Sequence, residues 1–117
     1  MKKAFALLFG VAFVLFGLLG FTASPIVGAH GFFHTNIWHN LFHVLTGVLL
    51  LWAATHGSWS AKLWIILVGV TYLVIGVLGF VILGFEPGML FKFFAVNMMD
   101  HWLHIGMGLL VVLAAEV

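Results

Sequence analysis

Apolar residues run in four long blocks along this chain, and the short segments between them carry most of its turn-forming and charged residues. The first block goes from Ala4 to Ala23. A helix of about 20 residues rises about 30 Å, enough to cross the hydrocarbon core of a bilayer. Ser24-Pro25 ends it, and Ala29 to Asn36 forms a connector containing His30 and His34. The second block extends from about Trp38 to Ala54 and stops at a turn signal, His56-Gly57-Ser58. The third runs from Leu63 to Phe85 and ends at Glu86-Pro87-Gly88, since proline cannot continue a helix. Met89 to Val96, with Phe91, Lys92, Phe93 and Phe94, suits an interfacial segment, and the fourth block goes from about Met98 to Ala115. The pattern predicts an all-α membrane protein of four transmembrane helices forming one domain, residues 1–117.

Composition agrees with that reading. Hydrophobic residues make up 65% of the 117 and charged residues 6%, against about 25% charged in soluble domains. No Lys, Arg, Asp or Glu lies between Lys3 and Lys62, so lipid is the expected neighbour of most of the surface. With a net charge of +1 there is no basic patch for nucleic acid. The absence of cysteine excludes disulfides, iron–sulfur clusters and thiolate metal sites. The seven histidines equal all the acids and bases together.

Met1-Lys2-Lys3 followed by an apolar stretch resembles a signal peptide, with Val27-Gly28-Ala29 as a tolerable cleavage site. The first block is nevertheless expected to stay as a span, because it recurs inside the chain. Gly10 to Phe21 aligns with Gly69 to Phe80, with all three glycines and the closing Phe matching at an offset of 59. Asn36, His43, Gly47 and Ala54 fall on Asn97, His104, Gly108 and Ala115 at an offset of 61. A two-residue insertion in a connector accounts for the difference. We read a tandem duplication of a helical hairpin, repeat one 4–56 and repeat two 63–117. Each copy has an even number of spans, so the repeats are parallel and related by an axis along the membrane normal.

Gly10 and Gly17, and likewise Gly69 and Gly76, are about two turns apart and share a helix face. Gly47 pairs with Ala54, and Gly108 with Ala115, at the same spacing. Small residues let membrane helices approach closely; the alternative is that they clear room for a flat cofactor.

Asn36, His39, Asn40, His43 and Gly47 follow the three-and-four spacing of one helical face, as do Asn97, Asp100, His101, His104 and Gly108. Polar side chains at membrane depth turn inward to find partners, so one polar cluster is expected between the second and fourth helices, near the ends where both begin. Three readings are open. His and Asn could satisfy one another by hydrogen bonds across helices. His43 and His104 could be the axial ligands of one haem b on the pseudo-twofold axis, with Gly47 and Gly108 beside it. A divalent metal could sit among His39, His43, Asp100, His101 and His104, since imidazole and carboxylate suit Zn, Cu, Fe or Ni. Proton transfer and chlorophyll ligation complete the range. Close helix contact at Gly47 and Gly108 would favour an ion or a purely structural role, and a wide gap there would favour haem.

His30 and His34, four residues apart, could form a loop metal site, and His56 reads as a residue complementing a helix C-terminus. No serine has a neighbouring His and acid, and the glycine-rich segments are apolar helices rather than phosphate loops. No reaction is assigned. The competing functional reading is a cofactor-free accessory or assembly subunit of a larger membrane complex.

Lys2, Lys3 and Lys62 fall on one side of the predicted bundle and Lys92 on the other. The positive-inside rule then places both termini in the cytoplasm and the protein in the cell inner membrane, its histidine-bearing helix ends facing outward.

The motif His39-Asn40-Leu41-Phe42-His43-Val44-Leu45-Thr46-Gly47, loosely repeated as Asp100-His101-Trp102-Leu103-His104-Ile105-Gly106-Met107-Gly108, resembles the small four-helix bacterial membrane proteins grouped as domain of unknown function 4383. In that family Asn-x-x-His-x-x-x-Gly recurs in the second and fourth helices. Asn40 matches it, whereas His101 stands at the Asn position of the second copy. The resemblance implies the four-helix fold and the paired motif; the family has no established activity to carry over.

Overall fold

Helix α1 (Lys2–Gly20) stops short of the end of its apolar run. The Thr22 hydroxyl donates to the Leu19 carbonyl at 2.7 Å, and Ser24 Oγ accepts from the Ile26 amide at 3.0 Å. Side chains of this kind offer the backbone an alternative to further helix. The other helices are α2 (Ile37–Ala54), α3 (Ser58–Leu83) and α4 (Met98–Ala114). This computed structural model describes all residues from Met1 to Val117. Helices α1, α2 and α3 are long and apolar enough to cross a membrane; α4, apolar and 17 residues long, is shorter. Helix α3 begins at Ser58, ahead of its apolar run, after a turn in which Gly57 takes φ +98°. Only glycine adopts that region without strain.

Small residues join the helices in two pairs, α1 against α2 and α3 against α4. A Cβ built on Gly47 would lie 2.5 Å from the Gly10 carbonyl oxygen, and one on Gly108 would lie 2.6 Å from the Leu73 amide nitrogen. Gly17 packs on Val44 and the Asn40 backbone, as Gly76 packs on Ile105 and the His101 backbone. Gly20 lies under the Asn40 side chain, and Gly79 under the His101 ring. The two hairpins therefore make like contacts at matched positions. Between hairpins, α1 meets α3, while α2 and α4 stand apart on the other diagonal with side chains filling the space. The apolar core gathers around Tyr72, Leu50, Ile65 and Val111.

Both long connectors lie at the end of the bundle where α1 and α3 finish. Each contains a strand pair that the apolar pattern does not predict. Strands β1 (Val27–Gly28) and β2 (Phe33–His34) pair in parallel. Strands β3 (Gly88–Leu90) and β4 (Phe94–Val96) form an antiparallel hairpin where an interfacial segment was expected. Its tip holds Phe91 and Lys92 at φ +56° and +61°, a region costly for side chains of this size. Trp38 packs against the neighbouring Phe93, ring centroids 5.0 Å apart.

Candidate metal centre

Helices α2 and α4 begin in the same way. The Asn36 side chain accepts from the His39 amide at 3.0 Å. Asn97 accepts from the Asp100 amide at 3.0 Å, and Asp100 Oδ2 returns a contact to the Asn97 amide at 2.8 Å, closing a capping box. These caps fix where each helix starts and which way its first turns face. On α2 the stripe His39, His43, Thr46, Leu50 points into the bundle and is buried, while Asn40 and Gly47 face the α1 seam. On α4 the interior position is His104.

His39, His43 and His104 come together under the connector layer. Their ring centroids are 4.5 Å (His39 to His43), 5.4 Å (His39 to His104) and 5.9 Å (His43 to His104) apart. One ring nitrogen from each lies within 4.8 Å of the others, and all three residues are buried. Tetrahedral coordination at about 2.0–2.1 Å sets nitrogens roughly 3.3 Å apart, so small side-chain rotations bring all three onto one ion.

The tautomer of His39 is settled by its partner. Its Nδ1 lies 2.7 Å from the Ala95 carbonyl oxygen on β4. A carbonyl only accepts, so Nδ1 carries the hydrogen and Nε2 carries a lone pair. That buried Nε2 has no protein partner. Metal-binding histidines characteristically donate their other N–H to a carbonyl or carboxylate in this way. His43 Nδ1 and both nitrogens of His104 are likewise buried without a partner.

Tyr72 of α3 closes one side, its ring 5.9 Å from His43 and 5.5 Å from His104. The Thr46 hydroxyl donates to the Phe42 carbonyl at 2.8 Å, so the Tyr72 hydroxyl donates to Thr46 at 3.0 Å. Phe13 packs on Tyr72 with its ring tilted by 42°, centroids 4.8 Å apart, and Phe16 meets His43 edge-on at 5.2 Å.

The space enclosed by the three histidines has a volume of about 10 Å³, about what one water requires. A neighbouring void of about 80 Å³ is bounded by Phe13, Phe16, Tyr72 and Met107. Sites for larger organic molecules run to about 300–1,000 Å³. The rings of His43 and His104 are 5.9 Å apart, with Tyr72 5.9 Å from the first and 5.5 Å from the second.

Other sequence candidates fall elsewhere. Gly47 lies on the seam with α1, against Gly10 and Val14, and Gly108 on the seam with α3, against Gly69 and Leu73. Asp100 is buried in its capping box, and His101 is wedged over Gly79 against Phe80. Neither belongs to the triad. His56 sits at the far end, its Nδ1 2.9 Å from the Trp52 carbonyl at the close of α2. Sequence reasoning missed Tyr72 and the Ala95 carbonyl. Tyr72 had a signal: it is the only tyrosine, and it falls on Phe13 in the repeat. The carbonyl had none, because its role comes from the fold of the β3–β4 hairpin.

The family model described as Domain of unknown function (DUF4383) matches residues 3–117, and the chain belongs to that family. No curated protein and no solved structure matches it significantly.

Proposed function

We propose that this family member is a four-span protein of the cell inner membrane that holds one transition-metal ion on His39, His43 and His104. The observation carrying the reading is the set of three buried imidazoles whose nitrogens converge, with His39 Nε2, His43 Nδ1 and both nitrogens of His104 unpartnered. An unpartnered polar group in an apolar interior costs free energy; His101 also leaves both ring nitrogens unpartnered, and what sets the triad apart is that a nitrogen from each of its rings lies within 4.8 Å of the others. None of the three rings bonds to another or to an Asn. Imidazole donors suit Zn, Cu, Fe or Ni. Three protein ligands leave a fourth position open, the arrangement of sites that exchange or activate a further ligand.

The membrane reading rests on the outer surface. Leu8, Leu15, Leu45 and Val81 are each at least 60% exposed, and lipid supplies the cover that water cannot. Helix α4 reaches the lower end of the spanning range at 17 residues. The like contacts of the two hairpins support their origin as a parallel duplication, with the triad breaking its symmetry because Asp100 stands where His39 stands. Lys2, Lys3 and Lys62 at one end and Lys92 at the other support cytoplasmic termini and an outward-facing triad.

Metal analysis and an absorption spectrum of the purified, detergent-solubilised chain test this. One ion per chain, lost in His43→Ala and in His104→Ala and kept in His101→Ala, is the expected result. A Soret band, or no ion bound even after titration, would overturn it, the latter leaving the cofactor-free subunit.

A further inference from the structure

The connector layer above the triad carries a second group of metal-binding side chains. His30 is exposed and His34, Met98 and Met99 are half-buried, and all four line one open cleft at the end of the bundle. Thioether sulfur is a weak ligand for hard divalent ions and a good one for copper(I), and imidazole binds copper as well. One residue of the cleft is shared with a second cleft nearer the buried site. His34 also lines a second cleft together with Asn36 and Ala95. The Ala95 carbonyl holds His39 Nδ1 at 2.7 Å. Thr35, next in sequence, is buried with its hydroxyl unpartnered. Nitrogen, sulfur and oxygen donors are thus present in the cleft and in the connectors that cover the triad.

We propose that the His30, His34, Met98 and Met99 cleft captures copper(I) and passes it through the connector layer to His39, His43 and His104. The proposal rests on the metal reading of the triad and adds the identity of the ion and its route. No electron moves: the ion exchanges thioether and imidazole donors for three imidazoles, and copper(I) accepts three-coordinate sites. A residue on a route lowers the barrier in both directions, so removing it changes rates and leaves the endpoint alone. Removing a triad ligand changes the endpoint.

The test uses the full chain in detergent or nanodiscs, with copper(I) delivered from a chelator buffer under reducing conditions and zinc(II) in parallel. His30→Ala and the double change Met98→Leu with Met99→Leu are chosen because an exposed residue and two conservative replacements leave the fold intact. Both variants should reach the wild-type stoichiometry of one copper per chain, with loading slowed roughly tenfold to a hundredfold, within the range over which association rates vary among variants of one site. His104→Ala should fail to retain copper at any time. Wild-type loading rates in both cleft variants would overturn the route, and so would two ions in wild type falling to one in the variants, which makes the cleft a separate site. Tight binding of zinc with none of copper would overturn the ion assignment while leaving the triad reading intact. Binding of neither metal would remove both.

Discussion

Asn36 Nδ2 donates to the Phe93 carbonyl at 2.9 Å, tying the start of α2 to the tip of the β3–β4 hairpin in the other half of the chain. Asn97 Nδ2 donates to the Phe32 carbonyl at 2.9 Å, the same bond in the opposite sense. Each asparagine therefore caps its own helix with its oxygen and clamps the other connector with its amide. The clamp from Asn36 holds the hairpin whose Ala95 carbonyl orients His39, so the caps, the connectors and the site are one mechanical unit.

Replacing Asn36 separates the two roles. Asn36→Asp keeps an oxygen for the His39 amide and loses the donor to Phe93. Asn36→Ala loses both, with the cap alone contributing about 0.5–2 kcal/mol. Thermal unfolding in a fixed detergent should rank wild type above Asn36→Asp and Asn36→Ala lowest. Equal stability of the two variants would show that the clamp carries the whole effect and that the cap contributes nothing, and an Asn36→Asp as stable as wild type would show the reverse.

The glycine seams give a second prediction. A methyl at Gly47 meets backbone at 2.5 Å and one at Gly108 meets backbone at 2.6 Å, so neither contact can yield by side-chain rotation. Gly47→Ala and Gly108→Ala should each destabilise the protein, by about the 1–3 kcal/mol typical of overpacking. Gly106 has nothing within 4 Å of an added Cβ; Gly106→Ala should be neutral or stabilising, since alanine is the better helix former. Unfolding midpoints for the three variants check this, and a tolerant Gly47 would mean that α1 and α2 pack more loosely than described.

These cases show what was legible in the sequence. The long apolar blocks marked the helices because length and apolarity alone suffice for a span, and the repeat singled out His43 and His104 because they match each other. Face spacing was too coarse for the rest. Residues three and four apart share a side of the helix, yet that side divides into two stripes. His39 and His43 fall on the interior stripe; Asn40 and Gly47 fall on the seam with α1. In α4 the same division sends His104 inward and His101 over Gly79, which is why one predicted ligand set split between a site and a packing contact. The β3–β4 hairpin was hidden because its turn places Phe91 and Lys92, residues with no turn signature, at positive φ.

Tyr72 touches two of the three histidines without being free to act on an ion, since its hydroxyl is committed to Thr46. Tyr72→Phe should cost about 0.5–1.5 kcal/mol for the lost hydrogen bond and leave the amount of bound metal unchanged. Metal content and unfolding measured on the same preparation decide it. Loss of the ion in Tyr72→Phe would make the phenol a ligand or a proton donor to one.

Orientation can be read by labelling, because the chain has no native cysteine. A single cysteine at Ser58 should react with a membrane-impermeant maleimide only after the membrane is opened, and one at exposed Met89 should react in intact cells or spheroplasts. The opposite pattern would place the triad on the cytoplasmic half and make the connector cleft face the cytosol.

Metal binding should also be visible as stability. An ion that binds the folded chain and not the unfolded one contributes RT ln(1 + [L]/Kd), about 2.7 kcal/mol at one hundred times Kd. The three histidines come from two helices in different hairpins, so an ion held by them would bridge halves of the bundle whose α2 and α4 backbones barely meet. Adding the ion should therefore raise the unfolding midpoint of wild type, and a chelator should return it to the metal-free value. In the double variant His43→Ala with His104→Ala both additions should leave the midpoint unchanged. His43→Ala alone removes one ligand and leaves two, so its shift should be small at the same ion concentration. If the metal stabilises the double variant as much as wild type, the ion is bound elsewhere and the triad is not its site.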